Sequence, residues 1–243
     1  MTLDFSHAFA RYAALATAAD DLFARVARTC PHEIVCSPGC GDCCHALFDI
    51  SLIEALHLKD RFDRAFPAGP AREAVLERAG TADRDHYRLK RRAYLAEQDG
   101  QPTGAILEAL ARERIRCPLL GPDDRCLLYA HRPVTCRLYG VPLLIGGVTR
   151  TCGRTGFTPG GAYPTIRIEA MQDRLLALSR SLAASIGSRL PLLGDMLVPV
   201  SMALLTDYDA AYLGVEPEDA APSDRGGPGR PASWELPGPG EKG

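Results

Sequence analysis

The sequence predicts a mostly α fold: a helical domain carrying two cysteine-rich loops that cluster around metal, with one short β-hairpin. Three observations lead there. Apolar residues recur at spacings of three and four over long stretches. Nine cysteines fall in two short segments. The segments between the helices are dense in Gly, Pro and Asp, the residues of tight turns.

Residues 4–29 read as the first helix. Phe5, Ala8, Tyr12, Leu15, Ala19, Leu22 and Val26 form one stripe, which marks a core-facing helix. Thr29-Cys30-Pro31 ends it, because the residue before a proline is pushed out of helical geometry. Cys36 to His45 contains Pro38, Gly39 and Gly41 and reads as a tight irregular loop. Ser51 and Glu54 form a capping box that opens a second helix. Leu52, Ile53, Leu56, Phe62 and Phe66 supply its buried side, and Pro67 to Pro70 stops it.

Residues 71–98 read as helical with a break near Gly80 and Thr81. The basic run Arg84, Arg88, Lys90, Arg91, Arg92 reads as a solvated face. A short helix covers about 103–114. Leu143–Ile145 and Val148–Arg150 flank Gly146-Gly147, the pattern of a two-residue hairpin. Helices are expected again at about 165–187 and 196–210. In the last 30 residues, 214–243, 13 are Gly or Pro. That segment, with Trp234, the chain's one tryptophan, is expected to be a disordered tail. The expected organisation is one domain over 1–213, with a metal-binding core at 36–152, and the tail beyond.

Composition narrows the function. The 243 residues are 46% hydrophobic, enough for a proper core. A formal net charge of -2 does not suggest a nucleic-acid partner. No apolar run reaches the ~20 residues a membrane span needs. The N-terminus shows no basic segment followed by an apolar one, so no secretion signal is read there. A cytoplasmic location follows, and in a reducing compartment clustered cysteines point to metal rather than disulfides.

The first cluster is Cys36-x3-Cys40-x2-Cys43-Cys44. The second is Cys117-x8-Cys126-x9-Cys136, with Cys152 fifteen residues further on. Short spacings let neighbouring thiolates meet on a metal from one turn, and an all-sulfur set suits zinc or iron–sulfur clusters. Adjacent Cys43 and Cys44 point in opposite directions if the loop is extended. They then serve either two sites or the separated irons of one cluster. Six arginines lie between 116 and 154, against Asp123 and Asp124. Nearby cations favour thiolate. Arg137, beside Cys136, is expected to orient the metal-bound sulfurs from just outside the ligand set. Cys30 reads as an ordinary buried thiol. With eight cysteines available, His32, His45 and His131 are not needed as ligands. His7, His57 and His86 lie on helical stretches and carry no site signal.

Cys36 to Cys44, then Cys117-Pro118-Leu119-Leu120, Cys126-Leu127-Leu128-Tyr129 and Arg132-Pro133-Val134-Thr135-Cys136-Arg137-Leu138-Tyr139, resembles the YkgJ-type cysteine-cluster family. This is the CxxCxxCC zinc- or iron-chelating domain. The likeness runs from about Cys36 to Cys152 and departs in one place, where three residues rather than two separate Cys36 from Cys40. It implies eight metal-binding cysteines: Cys36, Cys40, Cys43, Cys44, Cys117, Cys126, Cys136 and Cys152. The implied cofactor is an iron–sulfur cluster, of 4Fe-4S type, or zinc. The family includes flagellin lysine N-methylases, so an iron–sulfur-dependent protein-modifying enzyme is one alternative. A zinc module that presents a helical surface to a partner is another. No segment of this chain carries the methylase activity over.

Overall fold

The computed structural model of the chain describes residues 3–37, 39–158 and 160–215. The described chain is mostly helical. Its α-helices are α1 (Ser6–Thr29), α2 (Leu52–Ala65), α3 (Pro70–Gln98), α4 (Thr103–Arg112), α5 (Val134–Leu138), α6 (Ile168–Ser185) and α7 (Val200–Leu205). The strands are short: β1 (Ile50–Ser51), β2 (Leu143–Ile145), β3 (Val148–Arg150), β4 (Ile166–Arg167) and β5 (Leu197–Val198). No described helix is long and apolar enough to cross a membrane.

Helix α2 sits at the centre. Leu52, Ile53 and Leu56 on one side join a core built with α1, α5, β2 and α6. Ala55, Leu58 and Phe62 on the other join a second core with α3, α7, Leu119 and Leu128. Each fully buried Leu, Ile or Phe is worth about 1.5–3 kcal/mol against exposure, so α2 is held by its two apolar faces together. The sequence showed the apolar positions as a single buried side. In fact they divide between two cores, because helices cover α2 from both directions.

Helix α1 buries Tyr12, Leu15, Ala16, Ala19 and Val26, much of the stripe its periodicity marks. It stops at Cys30, where Pro31 follows. Helix α3, expected to break, runs unbroken through Gly80 and Thr81. A glycine inside a helix costs only about 1 kcal/mol. Thr81 Oγ1 donates to the Glu77 carbonyl at 3.2 Å, which satisfies the hydroxyl within the helix. Val75 and Ala79 then anchor α3 in the second core.

The hairpin forms as expected. β2 and β3 pair antiparallel, Leu143 opposite Arg150, and Gly146 and Gly147 both take positive φ, 56° and 79°, as a two-residue turn between twisted strands requires. β4 adds to β2 in parallel, so α6 starts after Arg167 rather than at 165. The helix expected over 196–210 is only Val200–Leu205. Pro199 cannot sit inside a helix, and Leu197 and Val198 instead pair antiparallel with Ser51 and Ile50. The expectation of a disordered 214–243 tail falls, apart from Gly214 and Val215, outside the described residues.

The start of α2 is the joint that positions the site. Glu54, only 4% exposed, accepts Ser51 N–H at 3.0 Å and the Ser51 hydroxyl at 2.9 Å. Its other oxygen accepts Val134 N–H at 2.9 Å, from a residue 80 positions downstream. Ser179 of α6 completes the joint. Its hydroxyl accepts Ile53 N–H at 3.2 Å and donates to the Leu175 carbonyl at 2.9 Å.

Replacing Glu54 by Leu strands the Ser51 and Val134 donors in the core. An unsatisfied buried donor costs about 1–3 kcal/mol. The Glu54→Leu variant is expected to lose roughly 2–5 kcal/mol on that ground, and Glu54→Gln, which keeps one of the two acceptor oxygens, less. Urea unfolding curves of the three proteins check this, and equal midpoints for Leu and wild type would contradict it.

Candidate metal centre

The thiols are presented by three pieces of irregular backbone. In the first, Cys40 N–H bonds the Ser37 carbonyl at 3.0 Å and Cys44 N–H bonds the Gly41 carbonyl at 3.0 Å. Residues Asp42–His45 thereby wind into a 3-10 turn. The second piece lies alongside. Cys117 N–H donates to the Cys44 carbonyl at 2.7 Å, and Ile115 N–H to the His45 carbonyl at 3.2 Å. Arg78 of α3 donates to the Pro118 carbonyl at 3.1 Å, and Arg116 holds the carbonyls of Leu120 and Gly121, both at 3.1 Å. Cys136 arrives on α5, two residues after the Val134 N–H that Glu54 holds. The third piece follows β3. There Cys152 donates to the Asp42 carboxylate, 3.2 Å from Sγ to Oδ2.

These elements bring Cys40, Cys43, Cys44, Cys117, Cys126 and Cys136 to the wall of one cavity of about 370 Å³. Cys43 and Cys44 both reach it. A 3-10 turn places successive side chains about 120° apart, so the opposed directions of an extended loop do not arise. The Cys43 and Cys44 thiols hydrogen-bond each other, and Cys44 bonds Cys117 in turn. Cys36 and Cys152 do not line this cavity. They lie to one side, near Asp42. There Cys36 packs so closely on Gly140 that a Cβ at that glycine would collide with its sulfur. Cys30 is buried in the first core, 6% exposed. His32, His45 and His131 are not among the cavity's lining residues, whereas His86 of α3 is.

All nine thiols are free, and several hold their protons strongly. Cys136 is pushed well up, first by burial and then by the neighbouring thiols of Cys43, Cys126 and Cys44. Cys43 is raised by its bond to Cys44 and by burial. Cys44 is pushed up to about 12, chiefly by its bond to Cys117. Cys152 is pushed up to about 11 by burial, against the lowering effect of the Arg154 N–H, with Asp42 adding to the rise. Thiols packed together in a dry wall stay neutral, since each thiolate would lie against another.

The cation that opposes this is Arg132. It lines the cavity and lowers Cys36, Cys43 and Cys126. Its guanidinium lies 3.9 Å above the Tyr129 ring centre, and its Nε is buried without a hydrogen-bond partner among the described residues. Arg137 has a different setting. Its donors go to Asp20 of α1 and to the carbonyls of Arg132 at 2.9 Å and Ala130 at 2.7 Å. It clamps the turn before α5 onto α1. Asp42 is a residue the sequence reading passed over. It binds Arg114 at 2.6 Å and Cys152 together, and its carboxyl is held below the usual range despite the opposing effect of burial. Its place between two cysteines was the only available signal.

Among the described residues, no three His, Cys, Asp or Glu side chains are drawn in as closely as metal ligation requires. The thiols ring a cavity rather than meet at a point. The donor set nevertheless fits a thiophilic metal: the side chains are sulfur, they converge from two distant segments, and a cation stands beside them.

Fold and site together define a helical protein built around a thiol-lined cavity. Residues 35–153 match the family described as "CxxCxxCC: Putative zinc- or iron-chelating domain". Over those residues, just under half of its length, the chain is similar to that family. No curated protein matches the chain, and no solved structure does.

Beneath the cavity, His57 of α2 packs its ring on Tyr12, 4.8 Å between centres, and on His131 at 5.7 Å. Arg61 Nε donates to His57 Nε2 at 3.3 Å. Burial, then the Arg61 and His131 charges, push His57 down to about 4. The unfolded chain takes up this proton near pH 6.5, while the folded chain refuses it until about pH 4. Folding therefore weakens as pH falls through that window and is unaffected by this group above it. The His57→Phe variant is expected to lose less stability than wild type between pH 7.5 and pH 5. Denaturant midpoints at the two pH values measure it, and identical losses would show that His57 is not the group responsible.

Proposed function

We propose that the cavity holds a polynuclear metal centre, an iron–sulfur cluster of the 4Fe-4S kind, with its ligands drawn from Cys36, Cys40, Cys43, Cys44, Cys117, Cys126, Cys136 and Cys152. The observation that carries this reading is the spread of thiols around one cavity. Six line a single cavity, and among the described residues no three of them are drawn in to one point; the separated irons of a cluster accommodate that spread, and one tetrahedral ion with four ligands at a single centre does not. Cys36 belongs to the first segment and Cys152 bonds Asp42 of that segment, and on this reading both join when the loops close on metal.

The chain's own residues supply three things. The Glu54 joint and the backbone bonds between residues 44–45 and 115–117 hold the segments side by side before any metal arrives. Arg132 offsets negative charge as thiols ionise. The apolar wall excludes water, which protects a cluster from hydrolysis and oxidation. Each ligating thiol must give up its proton, so uptake releases protons and weakens as pH falls. Free thiols of this kind persist in a reducing compartment, in keeping with a cytoplasmic protein.

Zinc in a four-thiolate site is the second reading, favoured by the short Cys40-x2-Cys43 spacing. Anaerobic loading with ferrous iron and sulfide, or with zinc, separates the two. Metal analysis, acid-labile sulfide and visible absorption are the readouts. The cluster reading expects more than one iron per chain, matching sulfide and brown absorption, all lost in a Cys43→Ser/Cys136→Ser double variant. One zinc per chain, with iron refused, would support the second reading. A chain that takes up neither metal would end both.

A further inference from the structure

A groove of about 480 Å³ opens where α1, β4 and α6 meet. It shares no lining residue with the thiol cavity. Leu22, Ile166 and Met171 give it an apolar floor. Ile166 and Met171 belong to the first core, and Leu22 packs against that core while staying only partly buried. Leu22 is part of the α1 stripe, so one apolar position of that stripe opens into the groove.

Three exposed arginines line the same groove: Arg25 of α1, Arg167 at the end of β4 and Arg174 of α6. Among the described residues, none of the three has an acid at ion-pair distance. Asp21, one turn before Arg25, is the acid that lines the groove with them, and it is not ion-paired either. Glu169, in the first turn of α6, is engaged by the hairpin, where it accepts the Gly146 N–H at 2.7 Å. The groove is thus locally cationic in a chain whose net charge is -2. β4 is also an edge strand. The sheet order is β3-β2-β4, so β2 lies on one side of it, and among the described residues no strand pairs with the other. Ile166 N–H donates to the Pro142 carbonyl at 2.9 Å. Successive residues of a strand turn their polar groups to opposite edges, so Thr165 and Arg167 turn theirs away from β2. An edge of this kind is a template for another extended chain.

We propose that this groove binds an extended acidic segment of a partner protein, laid along β4 with its carboxylates on Arg25, Arg167 and Arg174. Charge complementarity selects the occupant. Guanidinium holds carboxylate through paired N–H bonds, and a strand edge adds main-chain bonds to an extended peptide. Arg167 and Arg174 are separated by about 10 Å along the α6 axis. Acids at alternate positions of an extended chain fall roughly 7 Å apart, so two or three of them match that span. The residues between them turn to the opposite face, toward Leu22 and Met171. A small anion would meet the arginines and leave the strand edge and the apolar floor unused. The proposal does not depend on the metal centre.

The test titrates a short peptide of alternating Glu and Val into the full chain by calorimetry, with the matching Gln and Val peptide as neutral control. Saturable binding of the Glu peptide, at least tenfold tighter than the control, is expected at low salt and weakens as salt screens the charges. Arg25→Gln/Arg174→Gln should erase the preference, with an unchanged urea midpoint to show that the fold is intact. Arg167→Gln, a single exposed change, should lower the preference severalfold as a second check. The Glu peptide N-methylated at alternate amides should bind at least tenfold more weakly, because it cannot add to the strand edge. Arg88→Gln/Arg91→Gln, on the basic face of α3, should bind as wild type does. Absence of binding, equal binding of the two peptides, or equal loss in the α3 double variant overturns the proposal. Full binding of the N-methylated peptide, or displacement of the Glu peptide by an equal concentration of inorganic phosphate, overturns it in favour of a site for small anions.

Discussion

A single buried carboxylate ties the two halves of the thiol cavity together. Glu54 accepts from Ser51 at the entrance to α2 and from Val134 at the entrance to α5. The first bond fixes the chain just after the 40–44 thiols. The second fixes the chain two residues before Cys136. Burial raises the Glu54 carboxyl, while the bonds from Val134 and Ser51 and the Arg137 charge oppose the rise. Three well-directed donors are what allow a carboxylate to sit in a core at all. This joint involves no thiol, and the thiols reach one cavity because the helices beneath them meet.

Holding six thiols around one cavity has an electrostatic consequence. Without metal they must stay protonated, because ionising one places its charge against the others in poor solvent. Arg132 relieves part of that, and a metal would relieve the rest. Metal binding to four thiolates in small peptides is worth about 10–16 kcal/mol, comparable with the ~5–15 kcal/mol net stability of a whole domain. The loops around the cavity are rich in Gly and Pro, and ordering each residue costs about 1–2 kcal/mol. Metal is thus expected to tighten segments 36–45 and 117–152. The helices, with their own buried faces, are expected to hold without it.

Much of this was legible in the chain itself. The α1 stripe, the Ser51/Glu54 signature and the Gly146-Gly147 hairpin are local patterns, and each formed where the pattern lies. The two cysteine segments and the family likeness were readable for the same reason. What depended on distant partners was not. Glu54 shows in sequence as half of a capping box, and nothing there announces its bond to Val134. Arg137 drew attention by sitting beside Cys136, yet α1 supplies Asp20 to hold it, and Arg132 faces the thiols instead. His86 looked like an ordinary helical residue until α3 packed along the second core and brought it to the cavity. The unbroken α3 and the short α7 are cases where packing and a single proline outweighed local propensity.

The central claim is that sulfur atoms from both segments bind more than one metal in this cavity. X-ray absorption at the iron edge of the loaded chain measures that directly. The account predicts a sulfur shell near ~2.3 Å and a second shell of metal neighbours, with the metal shell lost when Cys43 and Cys136 are both serine. A shell of nitrogen or oxygen with no metal neighbour would contradict it.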